Sequence, residues 1–256
     1  MILGVIQARM SSSRLPGKVL APVLGEPMLA RQVERVLRAK ALDKLVVATS
    51  TDASDDPLTV VCQSTGVECF RGPLDDVLDR FHGVATTSGA DHIVRLTGDC
   101  PLADPGVIDD VVRLHLTGDY DYTSNVCPPT FPDGLDVEIA TMATIAMAWR
   151  AADRTAQREH VTLWIRDNSE RFRIGNLTHE PDLSGRRWTV DEPEDLAFVS
   201  RVYGELYSAS PDFRMDDVLA LLERLPELND INQGVGRDEG LAKSLREDAP
   251  APRDEG

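Results

Sequence analysis

Residues 2–18 read ILGVIQARMSSSRLPGK, a strand feeding a polar loop that carries three cations. Ile2 to Ala8 is a nearly unbroken apolar run, the pattern of a strand covered on both faces in a parallel sheet. Three serines and Gly17 leave backbone N–H groups able to face outward, and Arg9, Arg14 and Lys18 add charge. Such a loop is suited to cradle a polyphosphate. It is not a P-loop, because Val19 follows Lys18 where a magnesium-binding hydroxyl would be needed, and it is not a GxGxxG turn. A surface loop with incidental cations is the competing reading.

Strand–helix alternation continues outward from this stretch. Helical spacing of Leu29, Val33, Val36 and Leu37 predicts a helix over 27–42, followed by a strand at 45–49 and a short helix at 55–65. A strand at 67–70, a helix at 75–87, a strand at 93–97 and a helix capped by Asp104 through about 116 follow. Short loops between such units imply a mostly parallel central sheet with helices on both faces. The rhythm changes after Asp119. Strands are expected at 121–125, 136–140, 172–177 and 187–190, and helices at 141–153 and 155–167. Leu196, Val199, Val202 and Leu206 then form one stripe of a helix opened by Pro193, and a last amphipathic helix spans 215–225. The economical architecture is one domain over 1–246 with a small strand-rich insertion at about 120–185. The Pro- and charge-rich residues 247–256 read as a solvated, disordered tail.

Composition narrows the function. With 256 residues and 42% hydrophobic content the chain can bury a sizeable core. A formal charge of −16 argues against a nucleic-acid or anionic-membrane partner. Against that background, residues 1–40 hold seven basic side chains and only Glu26 and Glu34, which marks a local anion site. Cys62, Cys69, Cys100 and Cys127 form no CxxC pair, consistent with a reducing cytoplasm. The N-terminal apolar run is too short for a signal sequence, and no stretch reaches the roughly 18–20 apolar residues of a membrane span.

Ligands of open α/β sheets sit at the carboxyl ends of strands, so strand-end acids matter. Asp99 closes a strand in VRLTGDCPLADP and is suited to a hard cation such as Mg²⁺, although an acid there also caps turns. Asp191 in RWTVDEPEDL is a second such acid, with an ordinary helix N-cap as its alternative. Asp136 and Glu138 share one face of a strand in FPDGLDVEIA, and REHVT brings Arg158, Glu159 and His160 together near a helix start. Acids for hydroxyls and cations for a carboxylate suit an acidic polyol, and Arg71 is a further candidate for that site. For Arg158 and Glu159 a solvated helix face is the alternative, and for His160 a satisfied buried histidine. Trp149, Trp164 and Met147 read as core or dimer contacts, and Cys100 as packing.

These motifs, with FRGPLDDVLDRF at 70–81, occur in the same order as in a known family. The chain resembles the CMP-sugar-acid synthetase superfamily of cytidylyltransferases. Within it, the likeness is to the spore-coat-polysaccharide branch, related to the 3-deoxy-manno-octulosonate and acylneuraminate enzymes. It covers about residues 1–205. The resemblance implies a GT-A/Rossmann-like nucleotidyltransferase fold and a homodimer built partly through the insertion. CTP would be co-substrate, Mg²⁺ the metal, and a small acidic acceptor the partner. Ala8, Arg9 and Met10 would meet cytidine and phosphate, Lys18 the phosphates, and Asp76 and Arg80 the base and ribose. Asp99 and Asp191 would hold Mg²⁺, with Lys18 and Arg14 stabilising charge in the transfer. Alternatives are a GT-A glycosyltransferase, cytidylylation of a phosphonate or alcohol, and a non-catalytic nucleotide sensor. Cys100-Pro101 after Asp99 departs from the Asp-x-Asp of glycosyltransferases.

Overall fold

The apolar run that opens the chain becomes β1 (Ile2–Gln7), buried along its length and flanked in parallel by two later strands. In the computed structural model, which describes residues 1–234, 236–237 and 239–248, a short hairpin of β2 (Pro22–Val23) and β3 (Glu26–Pro27) follows the polar loop. Next come α1 (Met28–Val36), β4 (Lys44–Ser50), α2 (Asp56–Thr65), β5 (Glu68–Gly72), α3 (Val77–Ser88), β6 (His92–Thr97) and α4 (Pro105–Thr117). The second half adds β7 (Tyr122–Ser124), β8 (Glu138–Thr141), α5 (Met142–Ala151), α6 (Thr155–Glu159), α7 (Leu163–Asp167) and β9 (Ile174–Asn176). It closes with α8 (Pro193–Leu206), α9 (Met215–Arg224) and α10 (Glu239–Glu247).

Seven strands form one sheet in the order β5-β4-β1-β6-β8-β7-β9, in which β8 alone runs antiparallel. The strands of the 120–185 region therefore extend the main sheet. Side chains of β1 alternate between its faces. Ile6 joins the core under α1, α4 and α8, whereas Leu3 and Val5 join that of Leu78, Phe81 and Trp164. Each such fully buried aliphatic or aromatic side chain contributes about 1.5–3 kcal/mol. The chain leaves β1 toward β4 on one side and later returns to β6 on the other. This makes the carboxyl ends of β1 and β6 the switch point of the sheet.

Four sequence expectations differ from the structure. The helix expected over 27–42 stops at Val36, with Leu37 as its C-cap. The helix expected over 155–167 breaks at 160–162, which turns Val161 into the core and the Thr162 hydroxyl onto Glu138 at 2.6 Å. Residues 187–190 are not a sheet strand. Their backbone runs across the strand ends, bonded by Trp188 N–H to Asp133 O at 2.6 Å and Val190 N–H to Asp99 O at 2.8 Å. Of the expected tail, Glu247 ends α10, Asp248 accepts a bond from Ala156 N–H at 2.8 Å, and residues 249–256 lie outside the described residues.

Candidate active site

A cleft of about 850 Å³ opens at the switch point. Its floor is the junction of β1 and β6, where Gly98 N–H donates to Gln7 O at 2.8 Å. A Cβ on Gly98 would lie 2.8 Å from that same oxygen, so glycine is what lets the two strand ends approach.

Lys18 sits at the centre, with only 8% of its surface exposed. Its ammonium donates to Asp99 Oδ2 at 3.0 Å, Asp191 Oδ1 at 2.8 Å and Val190 O at 2.7 Å. Burial alone would lower the lysine pKa, but Asp99 and Asp191 reverse this and raise it. Burial would likewise raise the Asp99 pKa, yet Lys18 and the Thr97 hydroxyl bring it down to about 2. The Lys18 ammonium thus sits between Asp191 and an Asp99 carboxylate that it helps keep ionised. Asp191 does not cap α8. Glu192 and Asp195 form that capping box, which leaves the Asp191 carboxylate to Lys18, Arg14 at 2.8 Å and Arg187 at 3.0 Å.

Arg187 is held in turn by Asp133 at 3.2 Å and by the fully buried Asp195 at 2.9 Å. Deeper along β6 and β8, Glu138 is buried against Arg95, Tyr122 and Thr162. Burial would raise its pKa, but Arg95 and then Arg166 hold it at about 2. Burial lowers the His160 pKa, with Arg95 adding to the effect, so its imidazole is neutral at pH 7.

Of the residues singled out from sequence, Ala8, Arg9, Arg14, Lys18, Arg80 and Asp99 line this cleft. So do Asp136, Glu138, Glu159, His160 and Asp191. Four do not. Arg71 is turned away, its guanidinium taken by Ser50 O at 2.8 Å, Asp52 O at 2.9 Å and Asp56 at 2.7 Å. Asp76 and Arg158 bond each other at 2.9 Å, tying α3 to α6, and Asp76 also caps α3 through Asp79 N–H. Met10 enters the loop through its backbone, its N–H donating to Asp55 Oδ1 at 2.7 Å.

Sequence reading missed Arg95, Arg187 and α10. A lone cation inside the apolar run Ile93–Leu96 was a visible signal for Arg95. Arg187, four positions before Asp191, had only that spacing. For α10 nothing in the local pattern pointed to the cleft.

The two carboxylates around the Lys18 ammonium form a hard-oxygen pair that already accommodates a cation. Among the described residues no cluster of three or more His, Cys, Asp or Glu side chains could hold a metal by itself. Two carboxylates fit Mg²⁺, which is commonly held by one or two carboxylates together with substrate phosphates.

The cytidylyltransferase family profile matches residues 3–234. The chain belongs to the cytidylyltransferase family. Its chemistry is CTP-dependent nucleotidyl transfer. Among related proteins of this family, the spore coat polysaccharide biosynthesis protein SpsF of Bacillus subtilis is 34% identical over 232 residues, covering 88% of this chain and 95% of that protein. A cytidylyltransferase structure from Leptospira borgpetersenii superposes with a TM-score of 0.87 at 32% identity, covering 92% and 99% of the two chains. CMP:2-keto-3-deoxy-manno-octonic acid synthetase, complexed with CTP, shares the fold at TM-score 0.62 and 19% identity, covering 80% and 98%. The nucleotidyltransferase fold expected from the motifs is the one observed. No helix among the described residues is long and apolar enough to cross a membrane.

Proposed function

We propose that this cytidylyltransferase moves CMP from CTP to a hydroxyl of a small acidic sugar, releasing pyrophosphate, for cell-surface polysaccharide synthesis. The observation that carries the reading is Lys18 held between Asp99 and Asp191 at the switch point, beside the serine-rich loop. The spore-coat function in the name of SpsF and the CTP complex of the octonic acid synthetase support the product and the donor.

In the reaction an acceptor oxygen attacks the α-phosphorus in line, a new P–O bond forms, and the bond to the β-phosphate oxygen breaks. Charge spreads over the non-bridging and leaving oxygens. Lys18 and Arg14 stabilise it there, while Ala8 and Arg9 hold the nucleoside end and its phosphate. Asp99 and Asp191 are the residues that would hold Mg²⁺, which when bound neutralises phosphate charge. Neutral His160 accepts the acceptor's proton. Asp136, Glu138 and Glu159 line the acceptor end, and Arg80 the base end. We further propose a single domain through residue 246, dimerising through the 120–185 region.

The test is pyrophosphate release with Mg²⁺, each of four nucleoside triphosphates, and a panel of ulosonic acids, neutral sugars, alcohols and phosphonates. Release confined to CTP with an acid supports the reading. Release with neutral acceptors alone, or with another nucleotide, overturns it.

A further inference from the structure

Helix α10 lies across the cleft without burying any of its side chains. It is held by polar contacts, and these reach the cations of the loop. At its first turn Glu239 Oε2 accepts from Arg14 Nη1 at 2.8 Å. One face further on, Ser244 Oγ donates to Glu159 Oε2 at 2.9 Å, and Glu159 Oε1 accepts from Arg9 Nη2 at 3.2 Å. Ser244 also shares a 3.0 Å hydrogen bond with His160 Nε2. Beyond the helix, Asp248 caps α6 through Ala156 N–H.

We propose that α10 is a strap that competes with nucleotide for the cleft. The Glu239 carboxylate holds the place on Arg14 that a phosphate oxygen of CTP takes, and CTP entry releases the strap. The inference rests on the reading of the cleft as a CTP site.

Three carboxylates surround Arg14: Asp191 at 2.8 Å, Glu192 at 3.6 Å and Glu239 at 2.8 Å. Asp191 and Glu192 precede α8, an element anchored in the core by Phe198, Val199 and Val202. Glu239 belongs to an element with no buried anchor, so it is the carboxylate that yields. Exposed ion pairs and single side-chain hydrogen bonds hold weakly, so the strap opens at small cost. A triphosphate brought beside Glu239 is repelled by it unless the helix withdraws. Withdrawal breaks the Ser244 contacts as well, which exposes His160 Nε2 and loosens the hold of Glu159 on Arg9. Nucleotide binding and opening of the acceptor end are thereby coupled through one element.

The experiment measures Mg²⁺-CTP binding by calorimetry for the full chain, for Glu239→Gln, for Glu247→Gln and for a chain ending at Gly234. The strap model expects Glu239→Gln to tighten CTP binding about threefold to fivefold. The shortened chain should tighten it at least as much. Glu247→Gln removes the same charge at the other end of the helix, where Glu247 also lines the cleft but pairs with Lys243 at 3.8 Å and not with Arg14, so it should tighten CTP less than Glu239→Gln does. In the full chain, CTP should raise hydrogen exchange of the α10 amides. Unchanged or weaker binding by Glu239→Gln, equal tightening by Glu247→Gln, or protection of α10 by CTP would each overturn the strap while leaving the CTP site intact. No CTP binding and no pyrophosphate release by any of the four proteins would remove the CTP reading and the strap together. The point variants decide the question even if the shortened chain does not fold.

Discussion

Lys18 Nζ lies 2.8 Å from Asp191 Oδ1, a contact that joins the first loop to a segment 173 positions later. With Asp99 on the other side, this ammonium is the positive centre of the cleft. In the proposed reaction Lys18 stabilises the charge that gathers on the transferring phosphate, so Lys18→Ala should lower kcat on the order of 10²–10³-fold. The substitution also leaves two adjacent carboxylates without their shared cation. Stability should drop by about 2 kcal/mol, less than for a fully buried pair because Asp99 is partly exposed. Pyrophosphate release at saturating CTP and urea unfolding read the two effects separately.

Much of this was legible in the sequence, for identifiable reasons. The runs Ile2–Gln7 and Lys44–Ser50 are buried on both faces and announce themselves by continuous hydrophobicity. Lys18, Asp99 and Asp191 stand beside Gly and Pro in the sequence, a local pattern that marked them as candidates, although only Asp99 follows a sheet strand. Arg71 and Asp76 sit in the same kind of pattern, but their partners Asp56 and Arg158 are set by tertiary placement. The break at His160 was hidden because a run of apolar residues at helical spacing does not reveal that Thr162 is drawn to Glu138. The reach of α10 back to Arg14 spans 225 positions, beyond any local signal.

Asp99→Asn keeps the size of the side chain and removes its charge. Lys18 then keeps Asp191 alone as its carboxylate partner, and the proposed metal pair is reduced to one. The Mg²⁺ concentration for half-maximal pyrophosphate release should rise at least tenfold. A titration of Mg²⁺ at fixed CTP checks this, and full activity of the variant at limiting Mg²⁺ would sink the metal assignment.

Gly134 has φ of +110°, and a Cβ there would stand 2.5 Å from Thr189 N and 2.6 Å from the carbonyl carbon of Trp188. Both obstacles are backbone, so neither can swing aside. Gly134→Ala should cost about 3 kcal/mol, from left-handed strain plus the forced separation. In a domain of this size that lowers Tm by roughly 6–12 °C. The displaced segment carries Val190 O, an acceptor for Lys18, so activity should decline in the variant even below its Tm. Calorimetry and pyrophosphate release at 20 °C measure the two consequences.

His115 is buried on α4, with Nδ1 3.1 Å from Thr123 Oγ1 and Nε2 3.0 Å from His92 Nδ1. Burial, reinforced by His92, lowers its pKa from 6.5 to about 4, against the pull of Asp121 and Asp119. Its contribution to stability is therefore complete above pH 6.5, where both folded and unfolded chains carry a neutral ring. As pH falls toward 4 the unfolded chain takes a proton that the folded protein refuses, and stability drains by an amount on the order of 2 kcal/mol. His92, whose pKa burial also lowers, acts in the same direction. His115→Gln should be less stable at pH 7, because the imidazole fills a packed site. Its unfolding free energy should nevertheless fall less steeply between pH 6.5 and 4.5. Carboxylate titrations are common to both proteins, so the difference between their urea-derived free energies isolates the imidazole. A difference that stays constant across that range would show that His115 protonates equally in folded and unfolded chains.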